Sequence, residues 1–133
     1  MSRISTDVVA KTLKSLKIKY VYDREEDMYV AVYTLSDDLK GVFQTITRVN
    51  NHLVFTTIYP ATIKSKYYAS ICKELLDLNC RSIMGGFNID SDDSTVSFRS
   101  SISLVGGKRP PKAVIEENHE LGLSSIVLFY EKI

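Results

Sequence analysis

Apolar positions recur along this chain with two periods, and the alternation between them outlines a fold. Over residues 6–17, Val9, Leu13 and Leu16 fall at i, i+4 and i+7, which is one stripe of an amphipathic helix. Thr6 is placed to cap that helix, and Asp7 suits its positive end. Lys11, Lys14 and Lys17 lie mostly off the stripe and are expected on a solvated face. The period then drops to two. Residues 18–22 alternate, and the charged run Asp23–Asp27 turns the chain. Residues 28–35 are rich in β-branched and aromatic types. Asp37, Asp38 and Gly41 mark a second turn. Residues 42–49 and 52–59 flank Asn50-Asn51, a pair that tolerates positive φ and so fits a two-residue hairpin turn. Pro60 is expected to end the strand. Short strands in succession predict an antiparallel meander rather than a parallel sheet.

Helical spacing returns over residues 63–78, where Ile71, Leu75 and Leu78 form a stripe with Tyr67, Tyr68 and Cys72 alongside. Asn79 is placed for a left-handed stop. A second hairpin is predicted at 83–90 and 95–104, around the polar turn Asp90–Ser94. Gly85-Gly86 weakens its first strand and points to a bulge or to close approach by a helix. Gly106–Pro111 reads as a loop, and Pro111 suits a first helical turn. In the tail, residues 125–130 have strand propensity. The spacing of Ile115, Gly122, Ile126, Phe129 and Ile133 instead supports a helix, with Gly122 as its point of weakness. The expected class is α+β, an antiparallel β-sheet with N-terminal, middle and C-terminal helices, forming a single domain over residues 1–133.

Composition narrows what this fold does. A length of 133 residues suffices for one core. Lys and Arg number 17 against 16 Asp and Glu, and neither half of the chain is strongly basic, so nucleic acid is not an expected partner. No apolar run approaches the ~20 residues of a membrane span, and no signal-peptide pattern opens the chain. Cys72 and Cys80 are too few for a disulfide framework and lack a CxxC spacing. They are expected to be reduced and buried, as suits a cytoplasmic protein.

Candidate chemistry is sparse. The acidic turn at 90–94 suggests a calcium loop, but Thr95 and Ser101 stand where that loop needs Gly and Glu. Gly106-Gly107-Lys108-Arg109 lacks the phosphate-loop pattern and is followed by two prolines. The histidines are His52, at a hairpin turn, and His119, flanked by acids on what reads as an exposed helix. They form no metal-ligand spacing. No catalytic, cofactor-binding or metal-binding residue is therefore assigned, and an enzyme is not expected. Eight Tyr and no Trp is an unusual emphasis, and Tyr is favoured at interfaces. In strand 28–35, Tyr29 and Tyr33 share one face, while Met28, Val30 and Val32 share the other. Tyr29, Tyr33 and Arg99, the one basic residue within the second hairpin's strands, are the candidate partner contacts. Core-edge packing for the tyrosines, and an exposed strand charge for Arg99, are the simpler alternatives.

The order helix, meander, helix, hairpin, helix resembles the YbjN family. The resemblance is carried by LLDLN at 75–79, GGFNID at 85–90 and VSFRSSISL at 96–104, followed by the GGKRPP loop and the last helix. It implies a type III secretion chaperone-like fold and a small, non-catalytic protein of regulatory type, without catalytic residues to transfer. Similar folds in secretion chaperones are dimers that bind extended segments of other proteins. The expectation is thus a protein-binding module, a chaperone-like or regulatory adaptor, forming a homodimer because helices can cover only one sheet face. The alternative is a small-molecule sensor with a cavity between helix and sheet.

Overall fold

A computed structural model describes residues 8–107 and 109–133. The expected caps Thr6 and Asp7, and Lys108 of the basic loop, lie outside the described residues. The elements run α1 (Val8–Ser15), β1 (Val21–Asp23), β2 (Met28–Thr34), β3 (Lys40–Val49), β4 (His52–Thr62), α2 (Tyr68–Cys80), β5 (Gly86–Ile89), β6 (Thr95–Ser103) and α3 (Lys112–Lys132). A 3-10 turn at Ser65–Tyr67 leads into α2. All six strands form one antiparallel sheet in the order β1-β2-β3-β4-β6-β5. The α+β class, the meander and the second hairpin are as the periodicity indicates.

The turns follow from side-chain chemistry. Asn50 takes positive φ between β3 and β4, whose ladder closes at Val49 and His52. In the acidic turn, the Asp90 carboxylate accepts hydrogen bonds from the amides of Asp92 (2.7 Å) and Asp93 (3.4 Å), and Asp93 accepts from Thr95 (2.9 Å). These carboxylates organise backbone, which is the usual work of Asp in a turn.

Burial separates the two faces of the sheet. Tyr29 and Ala31, Val42 and Ile46, Leu53 and Phe55, and Val96 and Phe98 all point to the helix-covered side. At the β1 end, Val9 and Leu13 of α1 pack with Tyr29, Ile46, Leu53, Phe55 and Ile115. At the other end, Ile71, Leu75 and Leu78 of α2 pack with Val96 and Phe129. α3 spans both clusters and adds Ile126 to a third with Leu39, Val42 and Phe98. Lys11, Lys14 and Lys17 are exposed, as their positions off the α1 stripe imply.

Several expectations need correction. Pro60 does not end its strand; β4 continues to Thr62. The β4–β6 register breaks between Ile58 and Thr62, so the ladder does not require the amide that Pro60 lacks. Asn79 is not a left-handed stop but lies inside α2. Its side-chain oxygen accepts from the Phe87 amide (2.6 Å), and its side-chain nitrogen donates to the Phe87 carbonyl (3.0 Å), tying the helix to strand β5. Gly86 admits this approach, since an added Cβ there would stand 3.4 Å from Asn79 Oδ1. Cys72 is only half-buried and Cys80 is exposed, because both lie off the buried stripe of Ile71, Leu75 and Leu78 on α2; both thiols are free. α3 is continuous through Gly122.

Candidate binding surfaces

The face of the sheet away from the helices is not covered by any described residue. Its cross-strand rows follow from register. One runs Val30, Thr45, Thr56 and Arg99, with Val21 extending it onto β1; the next runs Val32, Phe43, Ile58 and Ser97; a third runs Met28, Thr47, Val54 and Ser101. Among the large apolar side chains on this side, Val21 is 71% exposed, Val32 57% and Phe43 44%. Isolated exposed apolar residues are common, but contiguous ones mark contact surfaces. Arg99 is the single charge in these rows from β2 to β6 and forms no ion pair with a described residue.

Two open grooves flank α2. One of about 590 Å³ is lined by Tyr59, Ile63, Tyr67, Ile71, Glu74 and Lys132. The other, about 800 Å³, lies between the end of α2 and α3. Leu78, Ile83, Met84, Leu121 and Leu128 supply its apolar lining, and Arg81 and Lys132 are among the charged residues beside them. Between α1 and the sheet, a gap of about 10 Å³ beside Tyr33 and Gln44 has room for at most one water molecule.

The candidate contacts from sequence separate. Tyr29 is 2% exposed and packs edge-on against Tyr20 at 4.8 Å and beside Tyr22 at 5.1 Å, so it offers no surface to a partner. Tyr33 is half-buried beneath α3, with its ring 5.5 Å from that of His119. Its hydroxyl has no hydrogen-bond partner among the described residues, and burial, aided by Glu120, pushes its pKa up to about 12. Arg99 alone stands exposed, on the open face and remote from either tyrosine in the register.

Sequence reasoning missed a buried polar junction. His119 is not on an exposed surface; it is 4% exposed and faces the sheet. Its Nδ1 lies 2.6 Å from Gln44 Oε1. Gln44 Nε2 donates to Thr57 Oγ1 (3.1 Å) and to the His119 carbonyl (3.0 Å), so Oε1 is the acceptor and Nδ1 carries the proton. Burial lowers the His119 pKa against the opposing pull of Glu120 and Glu116, which favours the neutral ring. The signal was present in the pattern. Gln44 occupies an inward position between Val42 and Ile46, and His119 falls within the stripe from Ile115 to Ile126. Among the described residues the junction adjoins a gap of about 10 Å³, and it fixes the last helix to the sheet. Among the described residues, no group of three or more His, Cys, Asp or Glu is placed to hold a metal.

The fold and these surfaces define a small α+β protein with one helix-covered sheet face and one open one. The chain belongs to the YbjN family, described as "Putative bacterial sensory transduction regulator", whose model matches residues 5–133. Its fold is similar to the crystal structure of YbjN from E. coli, "a putative transcription regulator". The TM-score is 0.69 at 11% sequence identity, covering 91% of this chain and 84% of that one. No protein of curated function matches significantly. No helix among the described residues is long and apolar enough to cross a membrane.

Proposed function

We propose that this chain is a non-catalytic regulator that acts by binding another protein, and that it forms a homodimer through the β1–β4 part of its open sheet face, leaving Arg99 on β6 outside the interface. The observation that carries this reading is the run of Val21, Val30, Val32, Phe43 and Ile58 across four adjacent strands, uncovered by any described element. Burying such a face contributes roughly 25 cal/mol for each Å² of apolar surface removed from water. A second copy supplies a flat, nearly uncharged surface of the same kind. The grooves beside α2 then remain for another protein, and their apolar lining beside charged residues suits a protein segment. Both grooves beside α2 are open rather than enclosed, which favours a protein segment over a small ligand, and the gap between α1 and the sheet holds at most one water molecule. A cytoplasmic location accompanies this reading, and the two free thiols agree with it.

Light scattering at micromolar concentration tests the assembly. The expected mass is about twice 15.0 kDa, falling to 15.0 kDa when Phe43→Glu places a charge on the face. A wild-type mass of 15.0 kDa would overturn the homodimer and leave the face to a different protein.

A further inference from the structure

We propose that the outer side of β6 at Ser101–Ser103 accepts an extended, acidic segment of another protein as an added strand, with Arg99 receiving a carboxylate. This rests on the protein-binding reading above and specifies a site and a partner chemistry for it.

The two strands of the second hairpin differ in length, and that difference exposes backbone. β6 runs from Thr95 to Ser103 and is paired with β4 as far as Ser103. On its other side, β5 reaches only to the pair Gly86–Arg99. Gly85 takes φ +70°, and a Cβ added there would meet the Arg99 carbonyl at 2.5 Å, so the incoming chain reaches β6 abruptly instead of running alongside it. From Ser100 to Ser103, no described strand pairs with the outer side of β6.

Unpaired strand backbone is a template for another chain, and proteins usually protect it with Lys, Pro or a covering element. β5 is protected in this way, since Asn79 of α2 bonds both backbone groups of Phe87. The sequence Ser-Ser-Ile-Ser at 100–103 contains neither Lys nor Pro; Ser101 and Ser103 are exposed, whereas Ser100 faces the core and is 4% exposed, so the accessible backbone is that of Ser101–Ser103. An open cleft of about 560 Å³, bounded by Met84, Gly85, Asn88, Arg99 and Ser101, adjoins the start of this stretch. Three residues of added strand would span about 10 Å at roughly 3.3 Å per residue.

Charge selects the occupant. In the register, Arg99 stands opposite Thr56 on one side and Gly86 on the other, and Ser97 and Ser101 are the nearest residues of its own strand on that face. None of these is acidic, so the guanidinium is available for a bidentate carboxylate contact. Main-chain hydrogen bonds would hold the segment, and Arg99 would select for Asp or Glu within it.

The test uses the full chain, labelled with nitrogen-15, and two blocked heptapeptides of alternating Val and Thr. One carries a central Asp and the other a central Lys. The Asp peptide is expected to give saturable amide shifts confined to Arg99–Ser103 and the neighbouring Gly85-Gly86. The Lys peptide should bind about tenfold more weakly. Arg99→Glu is expected to invert the preference, and Arg99→Gln to abolish it. Absence of shifts at Arg99–Ser103 with either peptide at millimolar concentration overturns the proposal, as does equal binding of the two. Shifts at Val32 and Phe43 instead would overturn the strand-addition site while supporting the open face as a protein-binding surface. The light-scattering mass is expected to be the same for Arg99→Glu and the wild type, which separates failure of this site from failure of the homodimer.

Discussion

Replacing Gly122 with Ala tests whether α3 is seated on the sheet by contact at the polar junction. A Cβ at position 122 would lie 2.1 Å from Thr57 Oγ1, 3.0 Å from Gln44 Nε2 and 3.2 Å from Thr57 Cβ. The Thr57 atoms belong to a central strand, and Gln44 is held by hydrogen bonds to Thr57, the His119 carbonyl and the His119 ring. Neither neighbour can yield freely. Overpacking of this kind costs about 1–3 kcal/mol. Displacing the Gln44–Thr57 hydrogen bond adds about 0.5–1.5 kcal/mol. Against these, Ala in place of Gly inside a helix contributes about 1 kcal/mol. The net expectation is a destabilisation of about 0.5–3.5 kcal/mol, read as a lower urea midpoint with an unchanged slope. Thr57→Ala removes the hydroxyl that makes the closest contact. In that background, Gly122→Ala should be nearly neutral or stabilising by up to about 1 kcal/mol, giving a coupling of about 0.5–4.5 kcal/mol in the double-mutant cycle. If Gly122→Ala raises the urea midpoint of the otherwise unaltered chain, helix propensity outweighs the contact, and the seating argument fails.

Other outcomes follow from the same packing. Leu75 is 4% exposed within the α2 cluster, so Leu75→Ala should cost about 2–5 kcal/mol by urea unfolding; a cost under about 0.5 kcal/mol would mean that this stripe is not buried. His119 has a folded-state pKa below its ordinary 6.5, so between the two values the unfolded chain binds more protons. Stability is therefore expected to be fully present above pH 6.5 and to fall as the pH drops toward the folded-state pKa, with the His119 contribution to that slope absent in His119→Gln; an unchanged slope in the variant would rule out His119 as its source. Chelator, calcium and nucleotide are each expected to leave the melting temperature unchanged, and a rise of several degrees with calcium or nucleotide would reveal a site that the acidic turn and glycine loops do not suggest.

Periodicity made the elements legible because it reports which side of each strand or helix is buried, whatever the partner. It located the stripes on α1, α2 and α3, and both hairpins, within a few residues. The errors at Pro60 and Asn79 share a different cause. Local propensity does not describe either residue, because a distant neighbour sets its conformation. The break in pairing with β6 accommodates Pro60, and the backbone of Phe87 occupies the Asn79 side chain. His119 misled in the same way. Its acidic neighbours in sequence suggested exposure, but the helical stripe carries it inward to Gln44.

The candidate surfaces were less legible for a related reason. Alternation in β2 correctly placed Tyr29 and Tyr33 opposite Val30 and Val32, but alternation alone does not say which set the helices cover. The tyrosines drew attention as interface residues, whereas the sheet uses them at the core and leaves the aliphatic set outside. That assignment follows from α1. Val9 and Leu13 join Tyr29, Ile46, Leu53 and Phe55 in one cluster, which commits this side of β2, β3 and β4 together. Once committed, strict alternation leaves Val30, Val32 and Phe43 on the opposite side, because a one-residue shift would reverse every inward side chain. The exposed apolar face is thus a geometric consequence of how the core is built. Its retention of Val and Phe, where Lys or Glu would be tolerated in solvent, is the reason to look for a partner there.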